Sequence, residues 1–434
     1  MIRDRAWRVD LASLLALKAA TGAWLLHGGF SHVSDDDYSR VVIAEHFAHA
    51  PSLDPSGTSW LPWPFWANGT AMMVFGRSLA VASVVAWLFG LASVVVGYFA
   101  MRALGVPRGA TWIAVAVAMT TPWNAWLGVA TVPEALTAAL IAAGAMSIAI
   151  PRARALGAAA LLVASLSRYE AWPICAVYAG VCLVSLLRAS NGQRTREGLA
   201  LALALIGPCT WMAWNAHAHG SALHFLARVA RYRQSLGVEI SLSDRLLTYP
   251  RALVTGAPEI ALLGLAGWLG GLEVRSRWRA PLATMGALLV FLVYGDLHDG
   301  APTHHPERAV LSCWWVLAGF GVDGGCAFLR RHVRGRPKRE AWAVALGVAG
   351  AIGLSASGID RAGTGPGRSP EENRDVQVGR GLALRATDAT HVVVVPCAYE
   401  HFALIAAFGA PERVTIEEPT HATVTSACPR IEVP

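Results

Sequence analysis

Apolar residues run in long blocks through most of this chain, and polar residues collect in the gaps between them. A helix needs about 20 mostly apolar residues to cross a bilayer, with roughly 17–25 tolerated. By that measure the blocks predict helices over 11–30, 77–101, 109–126, 133–150, 155–167, 171–187, 198–217, 252–272, 280–297, 309–329 and 341–359, about 11 transmembrane helices in all. Block 155–167 is short for a crossing. After 359 the pattern changes. Residues 360–385 are rich in Gly, Arg and Glu, and HVVVVPCAYEHFALIAAFGAPERVTIEEP reads as strand, helix, strand. The expectation is an all-α polytopic membrane protein over 1–359 with a small soluble α/β segment over 360–434, modest in size for an independent core.

The gaps sort into two sets. MIRDRAWR, 102–108, 151–154, 188–196, 275–279 and 330–339 are basic. The intervening gaps, 31–76, 127–132, 167–170, 217–250 and 296–308, are rich in Asp, Glu, His and Trp. Basic connections stay on the cytoplasmic side. This alternation predicts a multi-pass protein of the inner (cytoplasmic) membrane, N-terminus cytoplasmic, with 360–434 periplasmic or extracellular. The first apolar run mimics a signal peptide but is long enough to span, and no small-residue cleavage site precedes the acidic cluster.

Composition agrees: 54% of the 434 residues are hydrophobic and 15% charged, against about 25% charged in soluble chains. The net charge of +7 sits in the short basic connections, so it gives no reason to expect nucleic acid. No Walker loop or dinucleotide fingerprint is present, which leaves ATP and NAD unindicated. Five of the cysteines fall in apolar runs as small hydrophobes. Cys397 and Cys428 lie in the tail beside two expected strands, and a disulfide between them is expected in an oxidising compartment.

The stretch from Ser31 to Trp66 carries the densest chemistry. Asp35, Asp36 and Asp37 stand side by side and cannot sit in hydrocarbon. The Pro, Trp and Gly residues that follow suit half-buried interfacial helices. Asn124 and Glu134 are expected near the same surface. Arg168 and Glu170 interrupt an apolar stretch at SLSRYEAWP, and GDLHDGAPTHHPERAV sets Asp296, His298, Asp299, His304, His305, Glu307 and Arg308 before a helix. Arg228, Arg231 and Arg233 read as interfacial snorkelling residues. An Asp can act as general base toward a hydroxyl, and Arg can hold a phosphate in bidentate fashion. Nucleotide sugars are absent outside the cell, so sugar transfer there favours a polyprenyl-phosphate-linked donor.

SDDDYSRVVIAEHF with SLDP and WLPWPFW resembles the first external loop of GT-C superfamily glycosyltransferases, closest to polyprenyl-phosphate-mannose-dependent mannosyltransferase-like proteins. The matching positions are the acidic pair Asp35 and Asp36, then Trp60 and Pro62. SRYEAWP is similar to an R-Y-E-x-W element of some of these proteins, and HHPERAVL to an H-x-E-R element of lipid-linked-oligosaccharide mannosyltransferases. The resemblance covers roughly residues 10–330. The third Asp departs from the pattern, and the tail matches nothing in it.

The resulting expectation is an inverting transfer of a mannose-like sugar from a polyprenyl-phosphate donor to a hydroxyl on a glycan, lipid or protein acceptor. Asp36 is the expected base, with Asp35 second and Asp37 solvated. Arg168, Glu170, His304, His305, Glu307, Arg308 and Trp60 are the expected substrate-binding residues. Arg168 and Glu170 could equally form an ion pair capping two helix ends. No cofactor is indicated; His304, His305 and Glu307 are fitting ligands for a divalent metal but have no spacing that fixes a coordination geometry. The rival is a polytopic transporter or lipid-linked glycan flippase, which should place ionisable groups near the midplane in broken helices; here Asp, Glu and Arg avoid the centres of the predicted helices. An O-antigen ligase- or polymerase-like enzyme would share a large outer loop without needing the acidic pair.

Overall fold

The computed structural model describes residues 6–235, 241–299, 305–333, 350, 353, 370–387, 390–395, 401–417 and 430–432. The helices run α1 (Ala6–His27), α2 (Asp36–His49), α3 (Trp63–Phe75), α4 (Leu79–Ala103), α5 (Arg108–Thr120), α6 (Pro122–Leu127), α7 (Glu134–Ser147), α8 (Arg154–Ser165), α9 (Ala171–Arg188), α10 (Asn191–His219), α11 (His224–Ser235), α12 (Leu242–Thr255), α13 (Pro258–Ala266), α14 (Gly271–Leu297) and α15 (Glu307–Val333). The tail adds α16 (Pro370–Arg385), β1 (Val392–Val395), α17 (His401–Phe408), β2 (Val414–Ile416) and β3 (Arg430–Glu432). Among the described residues, six helical runs are long and apolar enough to cross a membrane: Ala6–His27, Leu79–Ala103, Ala171–Arg188, Gly192–His219, Pro258–Leu297 and Glu307–His332. The chain is a polytopic membrane protein.

Where the helices depart from the predicted blocks, proline and charge account for it. Block 109–126 breaks at Thr121, whose extended backbone (φ −57°, ψ 146°) is what the residue before Pro122 prefers. Block 252–272 breaks before Pro258 into α12 and α13. α12 begins at Leu242, ten residues early, because it is amphipathic: Leu242, Leu246 and Leu247 are exposed on a helix that also carries Arg245 and Arg251. The predicted helix 341–359 lies outside the described residues except for 350 and 353, so the count of eleven does not carry over.

Ion pairs show which connections share a face. Arg108 pairs with Asp10, joining the starts of α1 and α5. Arg154 reaches Glu197 across 2.9 Å, joining the starts of α8 and α10. At the opposite helix ends, loop 31–37 meets residues 131 and 308, and Arg308 reaches Glu134. The basic and acidic connections therefore lie at opposite ends of the bundle, as their alternation predicts.

The core is closed by α15 against α5, α7, α13 and α14, with Trp278, Trp314 and Trp315 buried. α4 approaches the Gly128 turn so closely that a Cβ on Gly90 would lie 2.1 Å from the Gly128 carbonyl oxygen. Two ionisable groups contradict the expectation of purely apolar helix interiors. Asp323 of α15 is buried and accepts from Arg277 Nη1 (2.6 Å) and Trp278 Nε1 (3.0 Å). Lys18 of α1 is buried and donates to the carbonyls of Asn124 (2.7 Å) and Met119 (3.3 Å). Lys18 is held by two carbonyls and Asp323 is paired through one of its oxygens, which is how a charge survives at that depth.

In the tail, β1 pairs parallel with β2 (Val393 beside Thr415) and antiparallel with β3 (Val394 beside Ile431), in the order β2-β1-β3. α17 connects β1 to β2, giving the expected strand–helix–strand. Val376, Ala403 and Ala406 pack against Tyr38, Val41 and Ala44 of α2, so the tail and the acidic loop lie on one face. Cys397 and Cys428 lie outside the described residues.

Candidate active site

Asp36 is the first residue of α2, where the positive end of the helix favours a carboxylate. Its side chain is 42% exposed and accepts from Arg308 Nη1 across 3.2 Å. Arg308, the second residue of α15, is buried, and its Nε donates to Glu134 Oε1 at 2.9 Å. Glu134 opens α7, fully buried, and also accepts from Arg168 of the α8–α9 turn. Arg168 in turn grips Glu170, with Nε 3.0 and 3.1 Å from its two carboxylate oxygens. Four segments far apart in sequence thus meet in one chain of charge, Asp36–Arg308–Glu134–Arg168–Glu170. Beside it, Glu134, Thr137, Ile141, Arg168, Glu170, Arg308 and Ser312 line a narrow, partly open cleft. Glu134 Oε2 and Ser312 Oγ are buried at that wall without a hydrogen-bond partner among the described residues.

Arg40 completes the cluster from the next turn of α2. It is buried with its guanidinium 4.3 Å from the centre of the Trp60 ring and 5.8 Å from that of Phe65. Burial lowers its affinity for a proton, and the nearby Glu134 and Asp36 charges restore part of it. Its Nε has no hydrogen-bond partner among the described residues, and no described carboxylate lies within ion-pair distance of it. The loop beneath is fixed by aromatic groups: Tyr169 donates to the Ser59 carbonyl at 2.9 Å, and Trp63 N–H to that of Leu166 at 3.0 Å.

The structure redistributes the acidic triplet. Asp37 was expected to be solvated, but it is fully buried. Its carboxylate accepts from the backbone N–H groups of Val33 and Ser34 (both 3.2 Å) and Thr131 (3.1 Å), tying the first loop to the α6–α7 turn. Burial pushes it up to about 6, while Arg308 and the Ser34 N–H draw it back. The helical register explains the reversal. Successive residues at the start of α2 point 100° apart, so only Asp36 faces Arg308. Asp35 is the N-cap residue of α2, partly buried and already helical in backbone.

Of the other expected binding residues, Arg168, Glu170 and Arg308 converge. Arg168 and Glu170 form an ion pair that extends to Glu134. Trp60 lies under Arg40. His305, at φ 52°, sets its ring 5.4 Å from that of Trp123. Glu307 lies against the break between α12 and α13, its Cγ beside Gly256, and joins none of these ion pairs among the described residues. His304 lies outside the described residues. Among those described, no three His, Cys, Asp or Glu converge as metal ligands.

Arg233 was expected to snorkel, yet it is buried and bonded to Asp296, with Arg245 holding Asp299 at 2.7 Å. From sequence Glu134 was expected near this surface but not as a site residue, and Arg40 was not picked out. Their signals are a carboxylate directly after a helix-starting proline and an arginine at i+4 from Asp36; both are too common to single out alone.

No family profile and no curated protein matches the sequence. Among solved structures the chain is similar to ArnT from Cupriavidus metallidurans bound to undecaprenyl phosphate, with a TM-score of 0.57, 15% identity, and coverage of 95% of this chain and 90% of that one. It is likewise similar to ArnT from the same organism in the apo state, at a TM-score of 0.58 and 14% identity, covering 95% and 89%. The likeness establishes the fold, and it agrees with the GT-C architecture that the motifs suggested.

Proposed function

We propose that this chain transfers a sugar from a polyprenyl-phosphate donor to a hydroxyl acceptor, on the membrane face that carries α2 and the tail. The observation that carries the reading is the position of Asp36. It is the half-exposed carboxylate at the rim of a cluster whose other acids, Glu134, Glu170 and Asp37, are buried. A reacting hydroxyl can reach it, and proton removal by a positioned carboxylate contributes about 10²–10⁴-fold.

The acceptor oxygen attacks the anomeric carbon as Asp36 takes its proton. The sugar–phosphate bond breaks on the opposite side, inverting the centre, and the electron pair leaves with the lipid phosphate. Arg308 and Arg168, already fixed by Glu134, are placed to offset charge growing on that phosphate without reorganising. Arg40 adds a third guanidinium that no acid bonds. The ArnT neighbour holding undecaprenyl phosphate supports a polyprenyl phosphate as the carrier, and the loop motifs support a mannose-like sugar. Alternation of basic and acidic loops supports an inner-membrane protein with its N-terminus cytoplasmic. The acids of the cluster, Glu134 and Glu170, are paired with arginines at helix ends rather than at the midplane where a transport pathway would need them.

Purified protein in vesicles, given a panel of radiolabelled polyprenyl-phosphate sugars and a mixed acceptor extract, tests the reading. Label should move to acceptor with the wild type and not with Asp36→Asn. Transfer from none of the sugars would overturn the proposal, and full transfer by Asp36→Asn would remove Asp36 from it.

A further inference from the structure

One buried acid outside the cluster has no hydrogen-bonding partner among the described residues. Glu45, on α2, is 0% exposed, and neither carboxylate oxygen accepts a hydrogen bond. An unpaired buried carboxylate costs far more than a neutral acid, so the group keeps its proton. It lies where the tail meets the first loop. Arg77, between α3 and α4, donates to Glu412 of the tail at 2.6 Å. His49, one turn beyond Glu45, stands 4.0 Å from the same carboxylate. Gly409 adopts φ +79° there, and a Cβ on it would lie 2.8 Å from the Arg77 carbonyl oxygen. Apolar contacts continue this seam from Ala44 to Val41 and Tyr38, ending one turn from Asp36.

We propose that the tail is a clasp on the helix that bears Asp36, with Arg77, Glu412 and Glu45 as its positioning residues. The consequence for Asp36 rests on the glycosyltransferase reading; the clasp itself does not. Held on one side by the tail and on the other by Asp37, α2 presents Asp36 to Arg308 in one orientation.

The clasp has a built-in pH dependence. Burial raises Glu45 well above the usual carboxylate range; Arg77 opposes this and Glu412 adds to it. When the tail lifts off, Glu45 meets water and ionises at its ordinary value of about 4.3. Docking is therefore strongest below that value and is lost as pH rises through the raised one. Burial also opposes the charge on Glu412, but the Arg77 bond holds it below its usual range, so that bond survives mild acid. His46 faces solvent, His401 stacks on Phe402, Asp375 lies 4.0 Å from Arg374, and Arg413 bonds the Thr387 carbonyl.

Hydrogen exchange of the full chain in vesicles, corrected for the intrinsic pH dependence of exchange, tests this between pH 5 and 9. Protection of α17 and α2 should fall together in the wild type, by about tenfold or more. Glu45→Gln, and Glu45→Met should the amide disturb folding, should flatten that dependence. Arg77→Glu or Glu412→Arg alone should loosen both helices at every pH, and the double charge reversal should restore them. In transfer assays the same singles should lower kcat with KM little changed, and the double should recover kcat. Protection independent of pH in the wild type, pH dependence that persists in both Glu45 variants, or no rescue by the double reversal would overturn the clasp. Protection that behaves as expected in a protein that transfers no sugar would leave the clasp standing and sink the glycosyltransferase reading instead.

Discussion

Three adjacent aspartates occupy three environments, and their substitutions should separate accordingly. Asp36→Asn keeps shape and removes the base, so turnover should fall by about 10²–10⁴-fold with expression unchanged. Asp37→Asn exchanges one acceptor oxygen for an NH₂ facing backbone donors. It should lower stability by about 1–3 kcal/mol, read as a reduced unfolding midpoint in detergent. Turnover per folded molecule should then be largely kept. Equal loss of turnover without loss of stability would mean that Asp37, not Asp36, meets the substrate. Glu134 gives the largest expected effect of a single residue. Its oxygen holds Arg308 and Arg168 together, and Glu134→Ala leaves two buried cations short of a counter-charge. Breaking such a pair costs about 3–5 kcal/mol. Adding Arg168→Met should recover part of that stability but no activity, which a double-mutant cycle on unfolding midpoints and turnover would show.

At the scale of elements, α2 is the piece on which the site depends. It is short, polar on one side and bound at three places: by Asp37 to the Thr131 turn, by Arg40 over Trp60, and by Tyr38 and Val41 to the tail. α3 beside it ends with Val74 and Phe75 exposed, as befits a helix dipping into the interface. Arg40 belongs to this element in its energetics, since its stacking on Trp60 is intact only while α2 and the loop at 58–62 stay together. Trp60→Ala should free that guanidinium, raising KM for the donor several-fold with a smaller change in kcat. A purely structural Trp60 would instead lower the amount of folded enzyme and leave the KM of the remainder unchanged.

On the scale of the whole molecule, the acidic loop and the tail share a face opposite the basic connections, as the ion pairs at the two ends show. The remaining prediction is which face is outside. Single cysteines at Leu53 and at Glu417, both exposed, should react with an impermeant maleimide in intact cells; one at Arg330 should react only after permeabilisation. The reverse pattern would turn the topology over and place the site in the cytoplasm, where a nucleotide sugar would be the natural donor.

The sequence by itself determined the membrane class, the sorting of its connections into a basic and an acidic set, and the tail's strand–helix–strand, because each depends on local properties. A run of apolar residues reports a span, charge in a gap reports a face, and VVVV before HFALIAAF reports a βα unit whatever lies around it. The same locality placed Asp36, Arg168, Glu170 and Arg308 on one surface, since each sits at a helix end. What it left undetermined was which of them touch. Glu134 looked like an ordinary helix-starting acid, Asp37 like a solvated neighbour of Asp36, and Arg233 like a snorkelling cation. Only tertiary packing decided these, because the free energy of a buried charge is set by groups brought from α7, α14 and α15, many residues away. Glu45 is the extreme case: nothing in AEHF marks it, and its character comes from burial and from Arg77 and Glu412, groups brought from the α3–α4 connection and the distant tail.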